Sequence, residues 1–259
     1  MQFHTTLEAR VAPRVVLNAV EGWGKTSTVA NIPGVAIIQA AGETGYETLA
    51  NAGRVPAVPH VTAADWLGLK EFVGNIDPTT IKALALDALG GIERLCEEYV
   101  NQSQFKGEWA DFSTFGRGAD QVGKEWPTLL SLFDKLARRG VAIIILSHSR
   151  VETFKNPMGS DFDRYVAACH RKTWDTTHKW ADAVLFGTYF TVVEGAKDVM
   201  KKGKATKSGT ARILYAERRD AFDAKNRYGM PADIDIDGGP ETVWPLLNSY
   251  FGGNNAQAG

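Results

Sequence analysis

The stretch from Arg14 to Ala30, RVVLNAVEGWGKTSTVA, constrains the fold of this chain more than any other. Arg14 to Val20 is a largely β-branched apolar run with the composition of a buried strand. A glycine-bearing turn follows, and Gly24-Lys25-Thr26-Ser27 then opens a helix. Strand, loop and helix in that order make a cradle for phosphate. Small residues let backbone N–H groups close on the anion, the helix N-terminus faces it, a lysine meets the outer phosphates and a hydroxyl ligates Mg²⁺. Here the cradle is Glu21, Gly22, Trp23, Gly24, Lys25, Thr26 and Ser27, with Lys25 for the phosphates and Thr26 for the metal. It departs from G-x-x-x-x-G-K-[ST] at the first position, where Ala19 stands in place of glycine, the mildest change available. The competing reading is an ordinary strand-to-helix turn with an exposed lysine.

A chain of 259 residues holds one large α/β domain or at most two small ones. With 44% hydrophobic and 23% charged residues it is ordinary for a globular protein, neither disordered nor fibrous. The formal net charge of −1 offers no global attraction to polyanions, so nucleic-acid contact would need a local basic patch or an assembly. Cys96 and Cys169 have no paired spacing, which argues for buried thiols over a disulfide framework or a zinc site. The N-terminus lacks a basic region followed by an apolar core, and no apolar run approaches the length of a membrane span, so a cytoplasmic protein is expected.

Two further strand ends carry chemistry. Val35 to Gln39 is a second strand, followed directly by Gly42-Glu43-Thr44-Gly45. Open α/β sheets collect their ligands at the carboxyl ends of strands, so Glu43 is a candidate general base for activating water; a solvated loop glutamate is the alternative. The run IKALALD, Ile81 to Asp87, is an apolar strand ending in an acid of the kind that holds Mg²⁺ opposite a phosphate loop, or that caps the following helix. The next residue is Ala88, not a second acid, so the base must come from elsewhere. Val141 to Leu146 is a fully apolar strand, and His148 just beyond it is a candidate sensor of the γ-phosphate.

Leu89–Val100 and Trp126–Arg138 have helical periodicity, whereas Asn101–Gly123 and Val151–Lys172 read as long loops rich in aromatic and basic residues. Such loops suit stacking and phosphate contacts with a single strand, and equally suit tucking their aromatics onto the core. Val55–Val61, interrupted by prolines, is at best an edge strand or extended loop, and Ala196–Gly209 is a basic turn between strands. His170 and His178 assemble no tetrahedral set, so no structural metal is assigned.

These residues together resemble the RecA-like ATPases, and within them the phage AAA-type nucleotide-binding proteins that include the Sak class of single-strand annealing recombinases. The carriers are EGWGKTS at 21–27, the glutamate of AAGETG, LALD, IIILSHS, KWADAVLF at 179–186 and AKNRYGMP at 224–231, spread over Val15 to Pro231. The resemblance implies that Lys225 and Arg227 reach into a neighbouring subunit's ATP site. Two cations there would offset charge developing at the γ-phosphate. It also implies a ring or filament, DNA-binding loops after the Asp87 strand and after the His148 strand, and a phage single-strand-binding protein as a further partner.

The expected fold is α/β, a RecA-like P-loop NTPase core with a mainly parallel central sheet flanked by helices and with C-terminal antiparallel hairpins. It spans residues 1–240 as one domain, with 241–259 a largely disordered tail. The expected function is binding and hydrolysis of ATP with Mg²⁺, Thr26 and Asp87 being the metal ligands. The protein would act as an oligomer on single-stranded DNA in phage recombination. A small-molecule phosphotransferase and a non-catalytic, nucleotide-dependent assembly factor are the alternatives.

Overall fold

The computed structural model describes residues 11–193 and 205–252, with side chains outside 191–210. In chain order the elements are β1 (Arg14–Ala19), α1 (Lys25–Ala30), β2 (Val35–Ala40), α2 (Gly45–Asn51), β3 (His60–Ala63), α3 (Trp66–Asn75) and β4 (Ala83–Asp87). Then come α4 (Leu89–Phe105), α5 (Trp109–Ser113), α6 (Arg117–Arg138), β5 (Ala142–Phe154), β6 (Phe162–Ala167) and α7 (Arg171–Trp180). The last are β7 (Ala183–Val193), β8 (Ala205–Tyr215), β9 (Lys225–Asn226), β10 (Asp233–Ile236) and α8 (Val243–Tyr250).

The strands form one sheet in the order β10-β8-β7-β1-β5-β4-β2-β3, with β6 added to β5 and β9 to β7. From β3 to β7 every pairing is parallel, while β8, β10, β6 and β9 join antiparallel. The fold is therefore the RecA-like α/β class expected from the sequence, antiparallel C-terminal strands included.

Both faces of the parallel strands are covered, which is why these strands are apolar throughout rather than alternating. On one face Val16, Leu86 and Ile145 pack with Trp66, Trp126 and Phe133 under α3, α4 and α6. On the other, Val15, Leu17 and Leu185 pack with Trp23, Val29, Trp244 and Leu247 under α1 and α8. Successive residues of β1 thus serve opposite cores.

Three expectations are corrected. Asn101–Gly123 is not a loop: α4 runs on to Phe105, α5 follows, and α6 begins at Arg117. Its aromatics divide, Phe105 and Phe112 entering the core while Trp109 and Phe115 stay exposed. Val151–Lys172 is not a loop either, because β5 continues to Phe154 and pairs back with β6 as a hairpin, from Ser149↔Ala167 to Phe154↔Phe162. The C-terminal tail read at 241–259 is folded through residue 252: α8 buries Val243, Trp244 and Leu247, with Phe251 beyond it. Residues 253–259 lie outside the described residues, as does the basic turn read at 196–209 up to residue 204; from Ala205 the chain is strand. Of the stretch read at 55–61 as an edge strand or extended loop, residues 55–59 are irregular and the edge strand is His60–Ala63.

Both thiols are buried, and burial pushes each well above its usual range. Cys96 and Cys169 are therefore expected to resist an aromatic disulfide reagent at pH 8 in the folded protein and to react once guanidinium unfolds it. Rapid modification of either native thiol, followed by absorbance, would contradict this placement.

Candidate functional site

The carboxyl ends of β1, β4 and β5 converge beside a cavity of about 540 Å³ lined by Glu21, Gly22, Gly24, Lys25, Thr26 and Ser27, with His148 on its border. Gly24 caps α1 at φ 104°, a conformation that costs other residues steric strain. A Cβ on it would also lie 2.6 Å from the Pro240 ring, which packs against the loop. Lys25 is buried and folds back, its Nζ donating to the carbonyls of Ala19 and Val20 at 2.9 and 3.2 Å. Burial lowers its pKa, against the opposing pull of Asp87, Glu21 and Glu43.

Thr26 Oγ1 donates to Asp87 Oδ2 at 2.8 Å, so the loop and the end of β4 meet although β5 lies between their strands. Asp87 is buried, and its pKa is raised first by desolvation and then by the Glu43 charge. The Thr26 hydrogen bond and the charges of His148 and Lys25 offset this in part. A hydroxyl and a carboxylate in contact are the hard oxygen donors Mg²⁺ takes beside phosphate and water, so the residues present fit that ion. Gln39, level with Asp87 on the adjoining strand, has its Oε1 buried without a protein partner. Among the described residues no group of three or more His, Cys, Asp or Glu side chains comes together, so the protein alone supplies no complete metal cage.

Glu43 is half-buried in the turn after β2, where Gln39 Nε2 donates to its carbonyl at 2.9 Å. Its charge acts on both Lys25 and Asp87, which places it in the same cluster. His148 is exposed and sits in register with Ala19, the residue that opens the loop.

Trp23 was expected among the ligand-facing residues, but its indole turns the other way. It is fully buried, Nε1 donates to the Thr188 carbonyl at 3.1 Å, and the ring occupies the notch left by Gly187. Only its backbone belongs to the cradle.

Lys225 and Arg227 lie at the far end of the sheet. Asn226 pairs with Ala183, which pairs with Val15, whereas the loop follows Ala19 opposite Gly187. At roughly 3.3 Å per residue, four residues of strand separate the two ends by about 13 Å. Lys225 Nζ donates to the carbonyls of His178, Lys179 and Ala181 at 2.9, 3.0 and 2.6 Å, using all three ammonium protons to cap α7. Arg227 is exposed and pairs with Asp182 at 3.0 Å. Asp182 also takes a two-pronged contact from Arg14, whose third donor reaches Asp134.

The sequence reading missed Arg212, Tyr189 and the Pro240–Glu241 segment. Arg212, Pro240 and Glu241 border the cavity, and Tyr189 touches the loop from outside. A lone arginine or tyrosine in a strand carries no local signal, so only the pairing of β7 with β8 reveals them.

A glycine-bearing loop between a central strand and a helix, a buried acid beside it, and a mainly parallel sheet define an α/β nucleotide-binding domain of the P-loop kind. The chain belongs to the AAA domain family, whose model matches residues 12–228. Among solved structures 68 chains match, one of them a crystal structure of the RadB recombinase. That chain is 13% identical with a TM-score of 0.49, over 89% of this chain and 90% of that one. No curated protein matches the sequence. No described helix is long and apolar enough to cross a membrane.

Two predictions follow from this geometry. Asp87 has a raised pKa even with Lys25 counted, so its stabilising contribution is present in acid and is lost as pH rises through the folded value. Without nucleotide, Asp87→Asn is therefore expected to melt higher than the parent at neutral pH, with the gap closing in acid. Calorimetry at pH 4 and pH 7 tests this, and a lower melting point at pH 7 refutes it. At Gly187 a Cβ would lie 2.7 Å from Trp23 Cε2 and 2.9 Å from Ala19 Cβ. Gly187→Ala should cost about 1–3 kcal/mol by denaturant titration.

Proposed function

We propose that the protein binds ATP with Mg²⁺ and hydrolyses it as a homo-oligomer that acts on single-stranded DNA, by binding, annealing or pairing, in phage recombination inside the host cytoplasm. The observation that carries the nucleotide part is the Thr26–Asp87 contact beside the buried Lys25 at the cleft that the loop lines. Membership of the AAA domain family supports the same reading. Lys25 and the loop amides would hold the phosphates, Thr26 and Asp87 the metal, and Glu43 the attacking water. When bound, Mg²⁺ neutralises charge on the phosphate oxygens. His148 would couple nucleotide state to the β5–β6 hairpin that begins immediately beyond it.

Arg227 is the trans-acting cation of this proposal, since it is exposed, distant from its own loop and held by one exchangeable ion pair. Lys225 supports it by tying the same turn to α7. For the polymer, exposed aromatic and apolar side chains stand at Trp109, Phe115, Phe154 and Met158, with Arg94 stacked on Trp109 and Arg164 on Phe154. Such platforms suit the faces of unpaired bases.

ATP turnover and equilibrium nucleotide binding, each with and without single-stranded DNA, test the proposal on the parent, Lys25→Ala, Glu43→Gln and Arg227→Ala. Lys25→Ala should lose binding. Glu43→Gln should bind yet turn over about 100-fold or more slowly. Arg227→Ala should bind normally and lose roughly 1,000-fold in rate. Full turnover by Arg227→Ala at dilutions where only monomer exists would remove the trans role, and absent DNA binding at low salt with ATP would remove the polymer.

A further inference from the structure

Tyr189 on β7 and Arg212 on β8 are direct cross-strand partners, with the guanidinium carbon 5.7 Å from the centre of the tyrosine ring. Both donate to the phosphate loop. Tyr189 Oη reaches the Gly22 carbonyl at 2.6 Å, and Arg212 Nε reaches the Trp23 carbonyl at 2.7 Å. These carbonyls are consecutive in the loop.

A planar trans peptide points the C=O of one residue and the N–H of the next in opposite directions. Holding the Gly22 carbonyl toward Tyr189 therefore turns the Trp23 N–H away from it, and holding the Trp23 carbonyl toward Arg212 does the same for the Gly24 N–H. The Trp23 N–H donates at 3.4 Å to the Val20 carbonyl, which Lys25 Nζ also reaches. Without such holds the loop is free to turn these planes, because Gly22 and Gly24 sit at φ 74° and 104° and pay little for rotation. The indole of Trp23, fixed under β7, anchors the loop between the two bonds.

We infer that Tyr189 and Arg212 are positioning residues for nucleotide binding, which hold the Gly22 and Trp23 carbonyls and so orient the Trp23 and Gly24 amides for the phosphates. The inference rests on the nucleotide reading of the loop. It gives the β7–β8 pair a second task beside closing the sheet: presenting a preorganised anion cradle, whose amides then need no reorganisation when the phosphates arrive.

Isothermal titration of ADP into the parent, Tyr189→Phe, Arg212→Ala and Arg212→Lys, with melting curves of each nucleotide-free protein, tests it. Tyr189→Phe keeps the ring and removes one hydrogen bond, so its Kd should rise roughly fivefold. Arg212→Ala should lose roughly tenfold or more, because its bond is charge-assisted. Lysine restores the charge but sets a methylene where Nε stood, so Arg212→Lys should stay close to Arg212→Ala. In hydrogen exchange, ADP should protect the Trp23 and Gly24 amides in the parent and protect them less in Tyr189→Phe, while the melting points stay near the parent's. Parent affinity in Tyr189→Phe, or restored affinity in Arg212→Lys, overturns the inference, the second by showing that charge alone is what Arg212 supplies. If the parent itself binds no ADP, it is the nucleotide reading that fails; variants that bind like a binding parent sink only the positioning role.

Discussion

The hydrogen bond from Thr26 to Asp87 joins groups 61 residues apart and sets the terms for everything around it. For those two atoms to meet, β1 and β4 must end near one another with β5 between them, which a parallel sheet with regular register provides. The cost is a lysine and an aspartate taken out of water at the edge of two apolar cores. Burial works against both charges, and their mutual attraction opposes it. A cleft built this way is stable without its ligand yet favours one that brings compensating charge.

Much of this was legible because the signals are local. The loop, the strand ending in Asp87 and the turn with Glu43 are each fixed by a few neighbouring residues; the loop lines the cleft, and Asp87 joins it through the Thr26 hydrogen bond. What was illegible depended on distant partners. Gly118 and Gly123 punctuate the start of α6 and argue for a loop; the helix forms because Gly118 lies against Phe112 and the Trp126 indole donates to Thr177 on α7. Tertiary packing overrode propensity there. The β5–β6 hairpin hid behind its polarity, since it projects beyond the sheet and needs no apolar alternation. Trp23 misled for the opposite reason: its place in the motif implied a ligand contact, and its indole serves the core. The C-terminal helix was overlooked because the glycine-rich end beyond it dominated the composition.

The charged groups at the other end of the sheet form a network of a different kind. Arg14 bridges Asp182 and Asp134, stacks on Trp180, and has its own pKa raised chiefly by the Asp182 hydrogen bond. Burial raises the Asp182 pKa, but the Arg14 and Arg227 contacts more than cancel that and leave it lowered. Asp182 therefore remains ionised while Arg227, its outer partner, stays exposed. The inner arginine satisfies the acid, so the outer one can leave without orphaning a buried charge.

Strand β7 connects these two ends. Asp182 immediately precedes it, and Gly187, Thr188 and Tyr189 further along it hold Trp23 and Gly22 of the phosphate loop. Because β7 pairs continuously with β1 from Ala183 to Gly187, displacement along it is resisted by a ladder and not by a hinge. On the proposed reading, Arg227 serves a neighbour's nucleotide while Tyr189 sets the chain's own loop. One rigid strand then ties the residue offered to the next subunit to the residue that prepares the local site, and any coupling between successive sites has a short, stiff element to follow.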